Sequence, residues 1–498
     1  MKKVNKFFIP GIVGLLGSVS LFAGNKSKPN ILILFSDDQR ADALGCAGNK
    51  YIKTPNIDQL AANGVMFQNN YVNGGLQAAI SAPSRAMLLT GKSLFNVRED
   101  LKDMTTMPEY FGQHGYVTFG TGKWHNGAES LERSFQSGKN FMVRGMSNHF
   151  KVPCQDLGAD GKLGEVEIKG FSTEIFGNSA IEFLDDYSKG DKKDPFMCYV
   201  AFTAPHDPRT PDLDFIGTYK DDELPLPGNF MKYHPFAFDN MRVRDENLAA
   251  WPRTPEIVQA SLADYYGLIT HMDKKIGEII ETLKKNGLFE NTIIVFAADN
   301  GLAVGSHGLL GKQNLYEHSM KVPLIFSGKG IPKNKKMDGF TYLFDIYPTL
   351  CNMAKLPEPE NANGKSLIKI INGKQKSVRD VMFTAYRTTV RAVRDTEWKL
   401  IRYPERDYSQ LFNLKNDPLE LVNLAYKTEY KDKLQTMTEL LKKCQIEAND
   451  TLPLTAKKIL PLEYNPASFK QVADRDQNEY ILKKYYKGVD VSNKSSHE

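Results

Sequence analysis

The sequence contains few of the residues that build zinc sites and disulfide frameworks. Its 498 residues include nine histidines and five cysteines. The cysteines are widely scattered: Cys46, Cys154, Cys198, Cys351 and Cys444. No CxxC pair occurs, so nothing indicates a zinc ribbon or a dithiol redox centre. The odd number leaves at least one thiol unpaired, and a chain of this length does not need disulfides to stabilise its core.

The chain also lacks a strong excess of one charge. Its 64 lysines and arginines against 59 aspartates and glutamates leave a formal charge of +5. Because no dense basic run accompanies that small excess, we do not expect nucleic acid as a partner. The composition, 41% hydrophobic and 25% charged, is that of a folded globular protein and excludes disorder of the whole chain.

A long apolar run occurs at the N-terminus, between Phe7 and Ala23. It follows a basic start and precedes small and polar residues, which is typical of a secretory signal. We therefore predict a signal peptide at residues 1–23 and a periplasmic or secreted mature protein. A single membrane anchor is the alternative, but Pro10 and the glycines and serines of the run disfavour it.

Short apolar runs alternate with helical patterns through most of the chain. The runs are apolar nearly throughout, which favours strands buried on both faces of a sheet, at residues 30–36, 197–204, 291–299 and 322–328. Helical spacing separates them at residues 54–64, 174–189 and 262–287. Strands that alternate with helices predict an α/β/α sandwich with a large, mostly parallel sheet.

The pattern changes after about residue 375. Alternating strands at residues 380–404 and a charged helix at 427–448 indicate a small C-terminal α+β subdomain with an antiparallel sheet. We therefore predict a catalytic α/β domain at residues 24–375 and this subdomain at residues 376–498.

Two acidic pairs follow two of the predicted central strands. Asp37 and Asp38 follow the first strand, and Asp299 and Asn300 follow the third. Ligands of open α/β sheets bind beyond the carboxyl ends of the strands, and crowded carboxylates repel one another unless a cation is present. All-oxygen donors suit calcium or magnesium better than zinc. An ordinary strand-end Asx turn is the alternative for either pair alone.

Basic residues also follow predicted strands or precede them. Lys123 and His125 follow a short strand, His206 follows the second central strand, and Lys312 lies in a glycine-flanked loop. Together they would surround an anion. Taken singly, each is better explained as an ordinary loop or surface residue than as a site residue.

The stretch Ala78–Lys92, AAISAPSRAMLLTGK, raises a different question. Ser81 suits a helix N-cap, Pro83 suits the first turn, and Gly91 suits the end of the helix. Helix formation does not explain why Ser84 and Arg85 are crowded against the same N-terminus, where the helix dipole favours anions.

These motifs together resemble the formylglycine-dependent sulfatases of the alkaline phosphatase superfamily. The family signature begins with Cys or Ser, a small residue, Pro, Ser and Arg, and ends with two large apolar residues, Thr and Gly; residues 81–91 match every constrained position. The second family signature matches at residues 122–125, apart from Thr121 beside it. The likeness extends from Asn30 to about Ala425.

The resemblance implies a sulfuric ester hydrolase, with an alkaline-phosphatase-like fold, in which a separate maturase oxidises Ser81 to formylglycine (3-oxoalanine). A serine there implies a maturase of the anaerobic bacterial type. The hydrated aldehyde would attack sulfur in line with the departing alcohol. Lys123 and Lys312 would neutralise the sulfate, His206 would protonate the alcohol, and His125 would remove a proton from the second hydroxyl.

The implied ligands of one calcium ion are the two acidic pairs and residue 81: Asp37, Asp38, Ser81, Asp299 and Asn300. Arg85 would remain in the site as a charge partner. The implied substrate is a sulfated glycan of mucin or glycosaminoglycan type, with a 6-O-sulfated galactose or N-acetylhexosamine as the leading hypothesis. The candidate substrate contacts are Trp124 as a stacking face, with Asp207, Arg209, His307 and Arg387 as polar groups.

Two other functions remain open from the sequence. A phosphatase or phosphodiesterase of the same superfamily would use an unmodified Ser81, although such enzymes generally bind two zinc ions and no histidine adjoins Asp37 or Asp299. A glycan-binding protein without turnover would keep the fold, although the near-complete set of site residues disfavours that alternative.

Overall fold

The structure is a computed structural model that describes residues 1, 28–191, 193–469, 471–491 and 494–495. The predicted signal peptide at residues 1–23 lies almost entirely outside the described residues. Within the described part, no helix is long and apolar enough to cross a bilayer. All five cysteines are described and all are free thiols.

The main sheet has ten strands. In chain order they are β1 (Asn30–Ser36), β2 (Gly64–Phe67), β5 (Val117–Lys123), β6 (Ser137–Met142), β7 (Val152–Leu157), β8 (Glu167–Lys169), β9 (Phe196–Ala201), β10 (Thr292–Ala298), β11 (Leu324–Gly328) and β12 (Lys335–Met337). Their spatial order is β12-β2-β11-β10-β1-β9-β5-β6-β7-β8.

The centre of this sheet is parallel. Strands β10, β1, β9, β5 and β6 run in one direction. Outside them, β11 lies antiparallel to both β10 and β2, and β7 lies antiparallel to both β6 and β8. The predicted α/β architecture is confirmed, with strand boundaries within three residues of those expected at β1, β9, β10 and β11.

Helices cover both faces of the sheet. In chain order they are α1 (Pro55–Ala62), α2 (Ser81–Thr90), α3 (Met107–Gln113), α4 (Ala128–Ser134), α5 (Ser172–Lys189), α6 (Pro255–Lys285), α7 (Glu317–Met320), α8 (Ile346–Ala354), α9 (Ile368–Ile371), α10 (Lys431–Ala448) and α11 (Glu479–Tyr485). Alternate residues of β1 show the two layers: Ile31, Ile33 and Phe35 pack in one core, Leu32 and Leu34 in the other. Burial on both faces explains why this strand is apolar throughout.

The remaining strands form smaller sheets. They are β3 (Asn70–Tyr71), β4 (Gly74–Gly75), β13 (Thr341–Tyr342), β14 (Met382–Tyr386), β15 (Val390–Arg394), β16 (Trp398–Tyr403), β17 (Tyr408–Asn413), β18 (Ala473–Asp474) and β19 (Lys494–Ser495). A five-stranded sheet has the order β17-β16-β15-β14-β4, and β3 pairs with β13 and β18 with β19.

The five-stranded sheet contains the antiparallel C-terminal strands that the sequence predicts, packed against α10. Its edge strand β4, however, comes from residues 74–75 and runs parallel to β14. The segment that leads into α2 is therefore hydrogen-bonded to the C-terminal sheet. The domain boundary at residues 375 and 376 remains a prediction.

Candidate active site

The carboxyl ends of four adjacent parallel strands meet at one edge of the main sheet. Asp37 and Asp38 follow β1, Asp299 and Asn300 follow β10, and Lys123 ends β5. The two acidic pairs are in direct contact. The Asp38 N–H donates to Asp299 Oδ1 at 3.0 Å, and Asn300 Nδ2 donates to Asp38 Oδ1 at 2.8 Å. The predicted convergence of these pairs is therefore present in the structure.

Ser81 is the first residue of α2, but its hydroxyl does not cap the helix. The N-cap is Ile80, and no side chain caps this end. Ser81 Oγ lies 3.3 Å from Asp37 Oδ1 and 3.1 Å from Asn300 Oδ1. Lys312 Nζ donates to the same hydroxyl at 3.3 Å. The simple helix-cap explanation of Ser81 therefore does not hold, because the hydroxyl faces the strand ends and not the helix.

Arg85 lies one turn further along α2 and is fully buried. Its Nε donates to Asp299 Oδ2 at 3.0 Å, and its Nη1 donates to the carbonyl of Lys123 at 2.9 Å. Its Nη2 lies 3.8 Å from Asp37 Oδ2, and Phe35 packs against the guanidinium. This one side chain therefore joins α2 to the ends of β1, β5 and β10.

Two lysines complete the buried charges. Lys123 Nζ lies 2.5 Å from Asp37 Oδ2, and Lys312 Nζ lies 2.5 Å from Asp38 Oδ1. Burial acts to lower the pKa of Lys312, but the surrounding carboxylates, of which Asp38 contributes most, together outweigh it and raise that pKa above its ordinary value. We call the resulting set the charged cluster; its members are Arg85, Lys123, Lys312, Asp37, Asp38 and Asp299.

His206 lies beside the charged cluster on the loop after β9. Its Nδ1 lies 2.8 Å from the carbonyl oxygen and 3.3 Å from the Oδ1 atom of Asp207. Both are acceptors, so Nδ1 holds the hydrogen of the neutral ring, and Nε2 faces Asp38 Oδ2 at 3.7 Å. Arg244 binds the Asp207 carboxylate, with Nη1 3.2 Å from Oδ1. Burial lowers the pKa of His206 well below its ordinary value.

His125 approaches from the loop after β5. Its backbone is left-handed, with φ of 72°, and its N–H donates to the carbonyl of Val143 at 3.2 Å. The ring packs so closely on Gly145 that a Cβ there would lie 2.3 Å from Nε2. Its Nδ1 atom has no hydrogen-bond partner among the described residues. A ring nitrogen is thus available for a proton.

One pocket connects these groups to the surface. It has a volume of about 650 Å³, and Ser81, His125, His206 and Lys312 all line it. That volume falls in the usual range for small-molecule sites. Charged and polar residues form much of the rest of the wall: Arg144, Arg244, Asp245, Gln313, Arg475 and Asp476.

Comparison with known proteins agrees with this geometry. The family model named Sulfatase matches residues 29–356, about two thirds of the chain. The chain belongs to the sulfatase family. It is a sulfuric ester hydrolase on an alkaline-phosphatase-like fold, as the sequence predicts. A second model, described as the C-terminal region of N-sulphoglucosamine sulphohydrolase, matches residues 305–447.

Individual relatives span most of this sulfatase. An arylsulfatase of Clostridium perfringens is 28% identical over 83% of this chain and 94% of its own length. An N-acetylglucosamine-6-O-sulfatase of Bacteroides thetaiotaomicron is 27% identical over 87% of this chain and 89% of its own. A solved structure, BT4656 in complex with its substrate D-glucosamine-2-N,6-O-disulfate, has a TM-score of 0.73 and 25% identity, covering 86% of this chain and 99% of that one.

Two predicted substrate contacts of this sulfatase are wrong because the side chains are buried elsewhere. Trp124 is 1% exposed, and its Nε1 donates to Ser130 Oγ at 2.9 Å, so the indole offers no stacking face. His307 is 2% exposed, stacks on Tyr316 at 4.0 Å and binds the carbonyl of Glu420 through Nε2. Both side chains have structural roles.

The other three predicted contacts do not line the pocket either, as far as the structure describes it. Asp207 is 3% exposed and serves to hold His206 and Arg244. Arg209 is 1% exposed and therefore lies beneath the surface. Arg387 is exposed just after β14, and its N–H donates to the carbonyl of Gly75.

The residues that do form the wall come from segments that the sequence analysis did not single out. Arg144 follows β6, Arg244 and Asp245 lie between β9 and α6, and Arg475 follows β18. No motif marks them, and they lie in three segments that are far apart in the sequence. Only the folded arrangement brings them to one pocket.

The oxygen atoms around Ser81 fit a hard divalent cation. Asp37 Oδ1 and Asn300 Oδ1 both lie within 3.3 Å of Ser81 Oγ, and the single hydroxyl hydrogen can serve only one of them. Donor atoms of Asp37, Asp38 and His206 also lie within 4.8 Å of one another. Carboxylate repulsion alone does not require a metal, because the charged cluster contains as many cations as carboxylates. The unsatisfied oxygen contact is the observation that favours one.

Removal of Arg85 tests the buried network. We expect Arg85→Met to lower the free energy of unfolding by about 3–5 kcal/mol, because it leaves Asp299 and Asp37 buried without their partner. Adding Asp299→Asn should recover part of that loss, since the second change removes a stranded charge. Urea unfolding in EGTA, where no divalent cation competes for the carboxylates, measures both.

Arg98 provides the matched control. It forms a comparable ion pair with Asp100, at 2.7 Å, but both side chains are more than half exposed. Arg98→Met should therefore leave the urea midpoint unchanged. The described network would be contradicted if Arg85→Met were as stable as Arg98→Met. It would also be contradicted if Asp299→Asn lowered the free energy of unfolding of Arg85→Met by as much as it lowers that of the wild type.

Proposed function

We propose that this sulfatase hydrolyses sulfate esters of carbohydrates, with residue 81, converted to formylglycine, as the nucleophile and calcium as its cation. The observation that carries the proposal is the position of Ser81 Oγ, which contacts Asp37, Asn300 and Lys312 in the wall of an open pocket. A serine that served the helix alone would bind backbone N–H groups.

Lys123 and Lys312 would hold the sulfate group. Both ammonium groups are buried, and each lies 2.5 Å from a carboxylate. Lys312 also contacts the Ser81 hydroxyl, and Lys123 shares the Asp37 carboxylate with it. An ammonium group has three donors, so each lysine can keep its carboxylate and still donate to a sulfate oxygen. Fixed positive charge in a site that excludes water stabilises charge that develops as the sulfur–oxygen bond breaks.

Two histidines would transfer protons, one to the leaving alcohol and the other from residue 81. His206 directs Nε2 to the pocket while Nδ1 donates to Asp207. Because the neutral ring holds its hydrogen on Nδ1, His206 would first take up a second proton at Nε2 and then give that proton to the leaving alcohol oxygen. His125 lines the pocket, its Nδ1 has no hydrogen-bond partner among the described residues, and it would accept a proton from residue 81.

Asp37, Asp38, Asp299 and Asn300, with residue 81, would hold the calcium ion. Calcium, when bound, would make the hydroxyl of residue 81 easier to deprotonate. Asp299 is the least available of these ligands. Its Oδ2 accepts from Arg85 and its Oδ1 accepts from the backbone of Asp38, so it would bind through remaining lone pairs.

Formylglycine supplies, once hydrated, two hydroxyl groups on one carbon, whereas serine has one. A serine sulfate would be a stable ester, because no second hydroxyl could expel the sulfate. We therefore propose that a separate maturase of the anaerobic bacterial type oxidises Ser81 before the chain folds. Burial supports that order: Ser81 is 2% exposed in the folded protein.

The proposed substrate is a glycan bearing a 6-O-sulfated galactose or N-acetylhexosamine. Two relatives support this choice: one is named for N-acetylglucosamine-6-O-sulfate, and the other was solved with a 6-O-sulfated glucosamine. The pocket, at about 650 Å³, admits a sugar of that size. The basic and apolar N-terminal run supports export to the periplasm or beyond.

Replacement of Ser81 tests the nucleophile. We expect Ser81→Ala to lower sulfate release from N-acetylglucosamine-6-sulfate by at least about a thousandfold, as removal of a nucleophile does in other hydrolases. Ser93→Ala removes a hydroxyl just beyond α2, outside the pocket, and should keep full activity. Ion chromatography of released sulfate measures the rate, and circular dichroism checks folding.

Three results would argue against this function. Undiminished turnover by Ser81→Ala would exclude residue 81 as the nucleophile. Faster cleavage of p-nitrophenyl phosphate than of any sulfated sugar would favour the phosphatase alternative. Binding of sulfated sugars without cleavage of either ester would favour a glycan-binding protein.

Calcium dependence tests the proposed cation. Dialysis against EGTA should abolish sulfate release, and added Ca²⁺ should restore it. Asp37→Asn should raise the Ca²⁺ concentration needed for restoration by at least about tenfold, since it removes an anionic ligand. Asp42→Asn is the matched control, because the Asp42 carboxylate is exposed and paired with Arg40. This variant should need no more calcium than the wild type. Full activity in a preparation shown by elemental analysis to be free of metal would contradict the proposal.

A further inference from the structure

The C-terminal segment, residues 471–491, returns to the active site. It begins after the end of both family matches, which reach residues 356 and 447. Its helix α11 buries Ile481 and Tyr485 against Leu248 and Leu310. Tyr485 Oη donates to Asp264 Oδ2 at 2.7 Å. The segment is thus an integral part of the fold and not a loose tail.

This segment is also hydrogen-bonded to the loop that follows His206. Asn478 Nδ2 donates to Thr210 Oγ1 at 2.8 Å, on the loop that follows His206. The buried carboxylate of Asp474 accepts from Arg244 Nε at 3.1 Å. Because Arg244 also binds Asp207, the segment and the His206 loop share one arginine.

The arginines of the pocket wall differ in how far nearby carboxylates neutralise their positive charge. Arg244 contacts three carboxylates, those of Asp207, Asp245 and Asp474, and only 21% of its side chain is exposed. Arg475 is 57% exposed, and the carboxylate of Asp476 lies 3.7 Å from its Nε.

Arg144 is also exposed, and in the part of the chain that the structure describes no side chain or carbonyl forms a hydrogen bond or ion pair with it. The wall therefore holds the Arg144 guanidinium, which has no partner in the described part of the chain, and the Arg475 guanidinium, whose long ion pair with Asp476 engages only Nε. The terminal nitrogens of both arginines are available to a ligand.

We propose that Arg144 and Arg475 form a subsite for a second anionic group on the sugar, in addition to the sulfate ester that is cleaved. The inference rests on the proposed function for the position of the first sulfate. Guanidinium groups bind sulfate and carboxylate through paired, charge-assisted hydrogen bonds, so the second group is a further sulfate or the carboxylate of a uronic acid. Neutral and singly sulfated sugars would leave these arginines unused.

Binding in the absence of turnover tests the subsite directly. In a Ser81→Ala background, isothermal titration calorimetry compares glucosamine-2-N,6-O-disulfate with N-acetylglucosamine-6-sulfate. We expect the disulfate to bind more tightly. Arg144→Gln with Arg475→Gln should reduce its affinity by roughly tenfold or more, the effect of losing a charge-assisted hydrogen bond, and should change the affinity for the monosulfate less than about twofold.

Two further variants separate recognition from loss of positive charge or of structure. Lys483→Gln removes a charge from α11 of the same segment, where the side chain is 75% exposed and outside the pocket, and should affect neither ligand. Arg475→Lys in place of Arg475→Gln should restore part of the affinity, because a lysine keeps the charge without the paired donors. A disaccharide with one sulfate and one uronate tests whether the second anion is a carboxylate.

The subsite proposal would be overturned if the protein with both arginines intact bound the two sugars with equal affinity. It would also be overturned if the double variant lost the same affinity for both sugars. Selective loss of affinity for the doubly charged sugars supports it, with the disulfate and the uronate distinguishing the two anions. Failure of the proposed function is recognised separately, because it requires that the wild-type enzyme, with Ser81 present, release no sulfate from any of these sugars.

Discussion

The active site depends on the ion pair between Arg85 and Asp299. Each group is fully buried, and a charge so far from water is strongly unfavourable unless a partner of opposite sign is in contact. The partners come from different elements, α2 and the end of β10, so the pair forms only when the helix is seated against the sheet. Because Ser81 begins the same helix, seating Arg85 also sets Ser81 against Asp37 and Asn300. The ion pair that holds α2 against the sheet therefore also fixes the position of residue 81 in the site.

The ion pair forms at the carboxyl edge of the main sheet. Its central strands are apolar on both faces, so the first polar residues after each strand gather at one edge. There the positive and negative groups of the charged cluster balance one another. In the proposed function, a bound sulfate would add negative charge beside Lys123 and Lys312, and a cation held by the oxygen atoms around residue 81 would compensate for it. The pocket wall is built differently, from loops and from the C-terminal segment. Substrate choice can therefore vary without changing the charged cluster.

The sequence allowed the parallel centre of the sheet and the residues at its carboxyl edge to be predicted, because each depends on local pattern. Asp37 and Asp299 follow continuous apolar runs, and the stretch around Ser81 matches a family signature. Local pattern alone would have made Ser81 a helix cap, but in the fold its hydroxyl makes tertiary contacts with Asp37 and Asn300. The prediction that Trp124 contacts substrate was wrong because an aromatic residue beside a predicted site lysine is as compatible with the core as with a ligand. Arg144 and Arg475 could not be predicted, since their position depends on how distant loops fold together.

The central claim is that residue 81 is the reacting group and is no longer a serine when it reacts. Mass spectrometry of the peptide that contains residue 81, from protein purified from its native host, tests it most directly. The account predicts a peptide that has lost two hydrogens relative to the encoded sequence and that forms a hydrazone with a hydrazine reagent. An intact serine in a preparation that hydrolyses sulfate esters at its full rate would contradict it.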